Sequence, residues 1–236
     1  MLSDGTTVSL VMPCRNEASH IAQLIEQVPS FYDEIVVVSN ASTDNTWQTI
    51  QDLSADNKRL VPLKDDRTIR GIGYGYAHMT GIAAATSEWI VCLDADGTYP
   101  SDDSAAIINW AKEHDKSFVS CNRYPDPSIP AKLQFGVKVL CVEIRLLYGL
   151  KLSDSLSGMW VFKRSVAPSL QLTEGDWNLS PQIKISAWEA LGDEFSEYPI
   201  RQKIRLGETK QQYFRTGWSH LTWIAKNRFR RRKASE

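Results

Sequence analysis

The chain has no run of 18 or more apolar residues, so no segment of it is expected to cross a membrane as a single helix. Its first residues, MLSDGTTVSLVMP, lack the basic start and long apolar stretch of a secretory leader, and none is expected there. Cysteine is scarce: four residues, at 14, 92, 121 and 141, none at zinc-ligand spacing. Cys92, Cys121 and Cys141 sit among apolar neighbours, which points to buried free thiols in a reducing compartment. The four histidines are scattered, which excludes a Cys/His metal cluster or a Ser/His/Asp set argued from sequence alone. Low-complexity linkers and internal repeats are also missing. What remains is an ordinary globular composition, 42% hydrophobic and 23% charged. Its net charge of −1 hides an asymmetry. The last eleven residues, KNRFRRRKASE, carry six Lys/Arg against one Glu, leaving the rest of the chain mildly acidic.

The first half alternates short apolar runs with helical periodicity. TVSLVMP, EIVVVS, RLVPLK, EWIVCLD and SFVSC read as strands. Between them, helices are predicted over Asn16 to Val28, Asp44 to Leu53 (with Ser42 as N-cap), Gly73 to Ala85 and Asp103 to Asp115. Serial βα units imply an α/β fold, a mostly parallel sheet covered by helices on both faces. The second half differs. A long amphipathic helix is predicted over Ala131 to Leu150, and a short strand in SGMWVFKR. A helix ending at Gly192 follows, then an exposed strand in SEYPIRQKIRLG and a final aromatic and basic helix from Phe214 to Phe229. One domain over 1–236 is expected, with a ligand-binding half to about residue 125 and a second half over about 126–213. Residues 214–236 form a C-terminal amphipathic basic segment.

The fourth apolar run ends in Asp94-Ala95-Asp96. Ligands of open α/β sheets bind beyond the carboxyl ends of the strands, where the strand order reverses. Side chains two apart on an extended strand share a face, so two carboxylates there repel unless a cation lies between them. Oxygen ligands suit Mg²⁺ or Mn²⁺, which takes its remaining ligands from phosphate and water. The pattern alone equally fits one aspartate bracing the turn at Gly97 and Pro100 beside a solvated one.

The neighbouring corners add to this. PCRNEA follows the first strand, SNASTDNT the second, and DAD the fourth. RGIGYGYAHMTGI, SDSLSGMWVFKR and IRLGETKQQYFRTGW follow in order, covering most of residues 7 to 218. Together these resemble the family 2 glycosyltransferases of the GT-A fold. Within that family, their order is most like dolichyl-phosphate mannose synthases and other polyprenyl-phosphate hexose synthases. The resemblance implies a nucleotide-diphosphate-sugar donor. Pro13, Arg15, Glu17, Ser39, Ser42, Asp44, Arg70, Gly71 and Ala95 would lie on the donor side. Asp94 and Asp96 would meet the metal and diphosphate, and Arg205 and Lys210 would close over the phosphates. Arg123, Lys138, Asp154, Ser157 and Gly158 would lie on the acceptor side, with Arg123 and Arg205 counted with the two aspartates as catalytic. Two stretches depart from the family. Ser39-Asn40-Ala41 stands where Asp-Asp-Gly is usual, and Gly97-Thr98-Tyr99-Pro100 stands where the mannose synthases have L-x-H-P-P. The base and the sugar are therefore left open.

Charge logic separates two acceptors. A hydroxyl needs a base, for which Asp154 or Asp176 is available. A lipid phosphate is already anionic and needs cations, for which Arg123, Lys138 and Arg145 are available. The tail WSHLTWIAKNRFRRRK sets aromatic side chains beside a basic cluster, as segments lying on anionic membrane surfaces do. A cytoplasmic enzyme, peripheral on the membrane face and acting on a polyprenyl phosphate, is the expectation. A saccharide, protein or small-metabolite acceptor is the alternative. Nucleic acid is not expected as a partner, and the oligomeric state is open. A dinucleotide-binding reading of RGIGYGYA fails, because the third glycine position of G-x-G-x-x-G falls on Tyr76 or His78.

Overall fold

The computed structural model describes residues 2, 5–124, 129–204 and 213–234. Seven strands form one sheet in the order β3-β2-β1-β4-β6-β5-β7. They are β1 (Val8–Cys14), β2 (Glu34–Asn40), β3 (Leu60–Asp65), β4 (Trp89–Cys92), β5 (Phe118–Asn122), β6 (Trp160–Lys163) and β7 (Phe195–Pro199). Pairing is parallel except where β6 runs antiparallel between β4 and β5. The order reverses at β1, which pairs with β2 on one side and β4 on the other. That places the crevice between β1 and β4 at the carboxyl edge.

The period-two alternation of the strands divides the core. Leu10, Met12, Ile35, Val37, Val91 and Val119 face one layer. It is built by α1 (Ile21–Glu26), α2 (Thr46–Asp56) and α4 (Ser104–Glu113), which contribute Ile21, Ile25, Ile50, Ile107 and Ile108. Val11, Val36, Val38, Ile90, Phe118, Trp160 and Phe162 face the other layer. That layer holds α3 (Tyr74–Ala84), α5 (Ala131–Tyr148), α6 (Leu179–Leu191) and α7 (Tyr213–Ala234). All four cysteines are buried and none is in a disulfide, as the apolar neighbours of Cys92, Cys121 and Cys141 suggest for those three. Among the described residues no helix is long and apolar enough to cross a membrane.

Two of the boundaries that differ from the sequence reading have an identifiable cause. The first helix starts at Ile21 rather than Asn16. The N–H groups of Asn16, Glu17 and Ala18 donate to Ser42 Oγ, Thr46 Oγ1 and Asp44 Oδ2, so those residues form a corner. Ser42 is thereby spent on Asn16. The second helix begins at Thr46 with Asn45 at its N-cap, not Ser42. The last strand stops at Pro199, on the edge of the sheet; Ile200 N–H still donates to the Asn122 carbonyl at 2.9 Å, and Arg201–Ile204 have no regular structure. The α6 end matches the glycine stop read at Gly192, while α5 ends at Tyr148, before the Leu150 expected from the sequence. Gly149 and Gly192 follow them with φ of 72° and 55°, the left-handed region that only glycine enters at no steric cost.

Candidate functional site

Three βα corners meet at the carboxyl edge of β1, β2 and β4. The first two are stitched together by side chains. Asp44 Oδ1 accepts the N–H and hydroxyl of Thr46 at 3.0 and 2.5 Å, and its other oxygen accepts Ala18 N–H at 3.2 Å. Burial opposes ionisation of this carboxyl, but these hydrogen bonds outweigh it and hold it below the usual aspartate range. The Thr43 N–H donates to Asn16 Oδ1 at 2.8 Å. Ser39 is fully buried and bonds Ser42 at 3.1 Å, while Glu17 lies 2.8 Å from the ring of His20. Pro13 is buried inside β1, in register with Val38.

Asn16 and Ala41 hold the two corners in the left-handed region, at φ of 53° and 44°. Ala41 stands where the resembling family has glycine, and its φ is in the region that glycine enters freely. After β3, Ile69-Arg70-Gly71-Ile72 forms a tight turn. Ile69 and Ile72 exchange backbone hydrogen bonds, and φ is positive at both central residues. Arg15 donates to the Gly71 carbonyl, so Arg15, Arg70 and Gly71 share one wall.

The third corner departs from the extended geometry expected of it. The β4 ladder ends at Cys92, and Asp94-Ala95-Asp96 leave it in a turn. Asp96 is buried, and its Oδ1 accepts the Thr98 N–H and hydroxyl at 2.9 and 2.6 Å, the turn-bracing role. Asp94 is different. Its side chain is 28% exposed and its Oδ1 is buried with no hydrogen-bond partner among the described residues. The nearest cationic candidate, His78 Nε2, is 3.9 Å away, beyond hydrogen-bond reach. Burial lowers the pKa of His78, which favours the neutral ring; both its ring nitrogens are also unpartnered. Tyr74 and Gly158 close round the same carboxylate. A Cβ on Gly158 would stand 2.8 Å from Asp94 Oδ2 and from the Tyr74 hydroxyl, so glycine is needed there for space.

An unpaired, partly buried carboxylate oxygen is costly unless something outside the described chain completes it. Asp94 beside Asp96 therefore fits a divalent cation. Among the described residues no third His, Cys, Asp or Glu joins them, which suits an ion that takes most of its ligands from phosphate and water.

The second half of the chain supplies the floor. Residues 153–158, before β6, wrap round a buried ion pair. Arg123 Nε and Nη2 donate to Asp154 Oδ2 and Oδ1 at 2.6 and 3.0 Å, a bidentate bond. Asp154, fully buried, also accepts the N–H groups of Leu156 and Ser157. Burial opposes its charge, but Arg123 outweighs burial and holds the carboxyl below the usual range. So saturated a carboxylate is unsuited to act as a base, which removes Asp154 from the two the sequence offered. Asp176 remains: half-buried, bracing Asn178 through one oxygen, and next to Trp177, which packs on Tyr74 at 4.5 Å.

Lys184 was not anticipated. It is fully buried in α6 and donates to the Ser155 and Ser157 carbonyls at 2.9 and 2.8 Å and to Ser180 Oγ at 3.1 Å. Burial lowers its pKa to about 8, against the pull of Asp154. Tyr99, also missed, accepts the Gly158 N–H at 2.7 Å. Tyr99 lies in the very stretch that departs from the family pattern, and Lys184 is the one charged residue among positions 179–187 of α6; those were the available signals.

The edge thus gathers Glu17, Ser39, Ser42, Asp44, Asp94, Ala95 and Asp96 at its corners. Arg15 reaches from the first corner to the Arg70-Gly71 turn, Gly158 lies beside Asp94, and Arg123, Asp154 and Ser157 are bonded together. Lys138 is exposed on α5, and no hydrogen bond or ion pair ties it to these groups among the described residues. Arg205 and Lys210 lie outside the described residues.

The Glycosyl transferase family 2 profile matches residues 9–170. The chain belongs to that family. Among curated relatives, it is 29% identical over 231 residues to the low-salt glycan biosynthesis hexosyltransferase Agl6 of Haloferax volcanii. The match covers 94% of this chain and 54% of Agl6, so the chain spans little more than half of that relative's length. It is 24% identical over 232 residues to the UDP-N-acetylglucosamine–dolichyl-phosphate N-acetylglucosaminyltransferase of Methanococcus voltae, covering 90% of this chain and 87% of that one. Among solved structures, it superposes on glucosyl-3-phosphoglycerate synthase of Mycobacterium tuberculosis, crystallised with Mn²⁺, UDP-glucose and glycerol 3-phosphate. The TM-score is 0.71 at 18% identity, over 95% of this chain and 80% of that one. The family 2 glycosyltransferase therefore has the GT-A fold, with the mostly parallel seven-stranded sheet described above.

Proposed function

We propose that this family 2 glycosyltransferase moves a hexose from a nucleoside-diphosphate sugar to a polyprenyl phosphate, inverting the anomeric centre in one displacement. The observation that carries the donor site is Asp94 at the β1/β4 crevice, with a buried oxygen that lacks a partner. Names among the relatives support the acceptor: the Methanococcus voltae enzyme acts on dolichyl phosphate, and a Pyrococcus furiosus relative, 24% identical over 187 residues, is a dolichol-phosphate mannosyltransferase.

In this reading Glu17, Ser39, Ser42 and Asp44 lie near the base and ribose. Asp94 and Asp96 would hold Mg²⁺ or Mn²⁺, with Pro13, Arg15, Arg70, Gly71 and Ala95 shaping the donor side. The resemblance assigns Arg205 and Lys210, which lie outside the described residues, to the phosphates. When bound, a divalent ion there would supply positive charge against the charge that gathers on the departing diphosphate. The chain's own contribution is to fix Asp96 in advance through the Thr98 turn and to leave room for the Asp94 carboxylate beside Gly158. Glycosyl transfer develops oxocarbenium character as the diphosphate leaves, so negative charge held beneath the ring and positive charge at the leaving group both lower the barrier.

On the acceptor side Arg123 gives two of its five N–H groups to Asp154. The others, with Lys138, are what an incoming phosphate takes. Ser157 and Gly158 line that approach and Asp154 orients Arg123. An anionic acceptor needs no base. The second reading is a hydroxyl acceptor on a saccharide, protein or small metabolite. The half-exposed Asp176 favours it, because its loop caps α3 through the Gly175 carbonyl and brings Trp177 onto Tyr74.

A thermal-shift panel of GDP- and UDP-sugars with Mn²⁺ identifies the donor. Labelled donor is then incubated with detergent-dispersed polyprenyl phosphate. Label in the organic phase, with Asp176→Asn keeping most of the rate, is expected. Label only in water-soluble product, with Asp176→Asn inactive, establishes the second reading.

A further inference from the structure

Helix α5 has two apolar faces. Val137, Leu140, Cys141, Ile144 and Tyr148 are buried against the core. On the opposite side Phe135, Val139, Val142 and Leu146 are 69%, 37%, 56% and 79% exposed. At 3.6 residues per turn these four fall within an arc of about 60°, a ridge about 16 Å long. Isolated exposed hydrophobics need no explanation, but four aligned on one helix do.

The ridge is flanked by charge of nearly one sign. Lys132, Lys138 and Arg145 are exposed on its two sides; Glu143, half-buried at the margin, is the only acid on the helix. Long basic side chains beside an apolar stripe can lay their stems along it and keep their heads at a polar interface. The helix that packs on α5 continues the theme: α7 exposes Trp218 at 70% and Phe229 at 58%, on one side of its own wheel, with Arg215, Lys226 and Arg230 also exposed. The two helices are joined where the Tyr148 hydroxyl donates to the Ile224 carbonyl at 2.9 Å and accepts from Asn227 at 3.1 Å.

We propose that the α5 ridge, Phe135-Val139-Val142-Leu146 with its flanking Lys132, Lys138 and Arg145, inserts shallowly into an anionic lipid surface. A second copy of the chain fits less well. A two-fold contact on this ridge would bring the flanking cations of both copies together. A bilayer with anionic headgroups answers both features, taking the apolar side chains into the acyl boundary and pairing the cations above it. The inference rests on the lipid-phosphate reading for its purpose alone; vesicles free of polyprenyl phosphate test the surface separately from the acceptor.

The experiment is sedimentation of the chain with phosphatidylcholine vesicles, with and without phosphatidylglycerol, comparing wild type with Val142→Ser/Leu146→Ser. Both substituted side chains face solvent, so the melting temperature should hold. Wild type is expected to pellet with the anionic vesicles only, and the variant to lose partitioning by at least about tenfold. Transfer to detergent-dispersed acceptor should be the same for both. Equal pelleting of wild type and variant would overturn the proposal, as would absence of wild-type pelleting. Sedimentation velocity supplies the remaining outcome: a dimer that the two serines dissociate would assign the ridge to a second copy and also overturn it.

Discussion

Gly158→Ala tests the site at its tightest point. The added methyl would stand 2.8 Å from both Asp94 Oδ2 and the Tyr74 hydroxyl, where ordinary contact begins at 3.4 Å. Something must give by about 0.6 Å. Tyr74 is held by α3 and packed between His78 and Trp177 at 4.6 and 4.5 Å. Gly158 is tethered through its N–H to Tyr99. The Asp94 carboxylate, unpaired at Oδ1, is the part free to turn. Overpacking of this size costs about 1–3 kcal/mol, which in a chain of this length lowers the melting temperature by about 2–12 °C. The functional loss should be larger than that suggests, because a displacement approaching 1 Å at a reacting centre costs up to about a hundredfold in rate. The assay pairs a thermal melt with Mn²⁺-dependent nucleotide release from the donor. A stable variant with transfer reduced tenfold or more is expected. A variant with wild-type Mn²⁺ dependence and wild-type rate would refute the claim that Asp94 works from the position Gly158 leaves for it.

Asp154→Ala strands Arg123 beside a fully buried site, and breaking such a pair should cost about 3–5 kcal/mol, toward the lower end because the arginine side chain keeps 17% exposure; urea unfolding measures it. Ala41→Gly should stabilise the chain by up to about 1 kcal/mol by relieving the left-handed φ of 44°, read as a higher melting temperature; a lower one refutes strain at that corner. His220 is 2% exposed, bonded to Asn178 at 2.9 Å, and depressed by burial, then by Lys184, to about 4. Because the folded value lies below the unfolded one of 6.5, its contribution is present above pH 6.5 and is lost as pH falls toward 4. At most about 3 kcal/mol is at stake. Wild type should therefore lose more stability than His220→Asn between pH 7 and 4.5, and parallel losses would contradict the assignment.

Most of the sheet was legible because its strands are apolar runs bounded by turn residues, and Val8, Ile35, Val91 and Val119 are completely buried as such runs require. The corners were legible as motifs but not as geometry. Asp94 and Asp96 were expected to share a face of an extended strand. Instead Thr98 claims Asp96, a competition between side chain and backbone that strand periodicity does not encode. The first helix is short because Ser42, Asp44 and Thr46, more than twenty residues away, take its first N–H groups. Arg123 and Asp154 were each singled out, yet their bond joins positions 31 apart, and only the fold brings them within 2.6 Å. Lys184 is the clearest omission. A lysine reads as solvated until the carbonyls of Ser155 and Ser157 are seen to be turned toward it.

The most direct measurement is calorimetric titration of Mn²⁺ into the wild type and Asp94→Asn, each with and without the nucleoside diphosphate of the preferred donor. Wild type should bind Mn²⁺ strongly only with the nucleotide present, and Asp94→Asn should lose that coupling while melting at the wild-type temperature. Undiminished, nucleotide-coupled Mn²⁺ binding by Asp94→Asn would contradict the account.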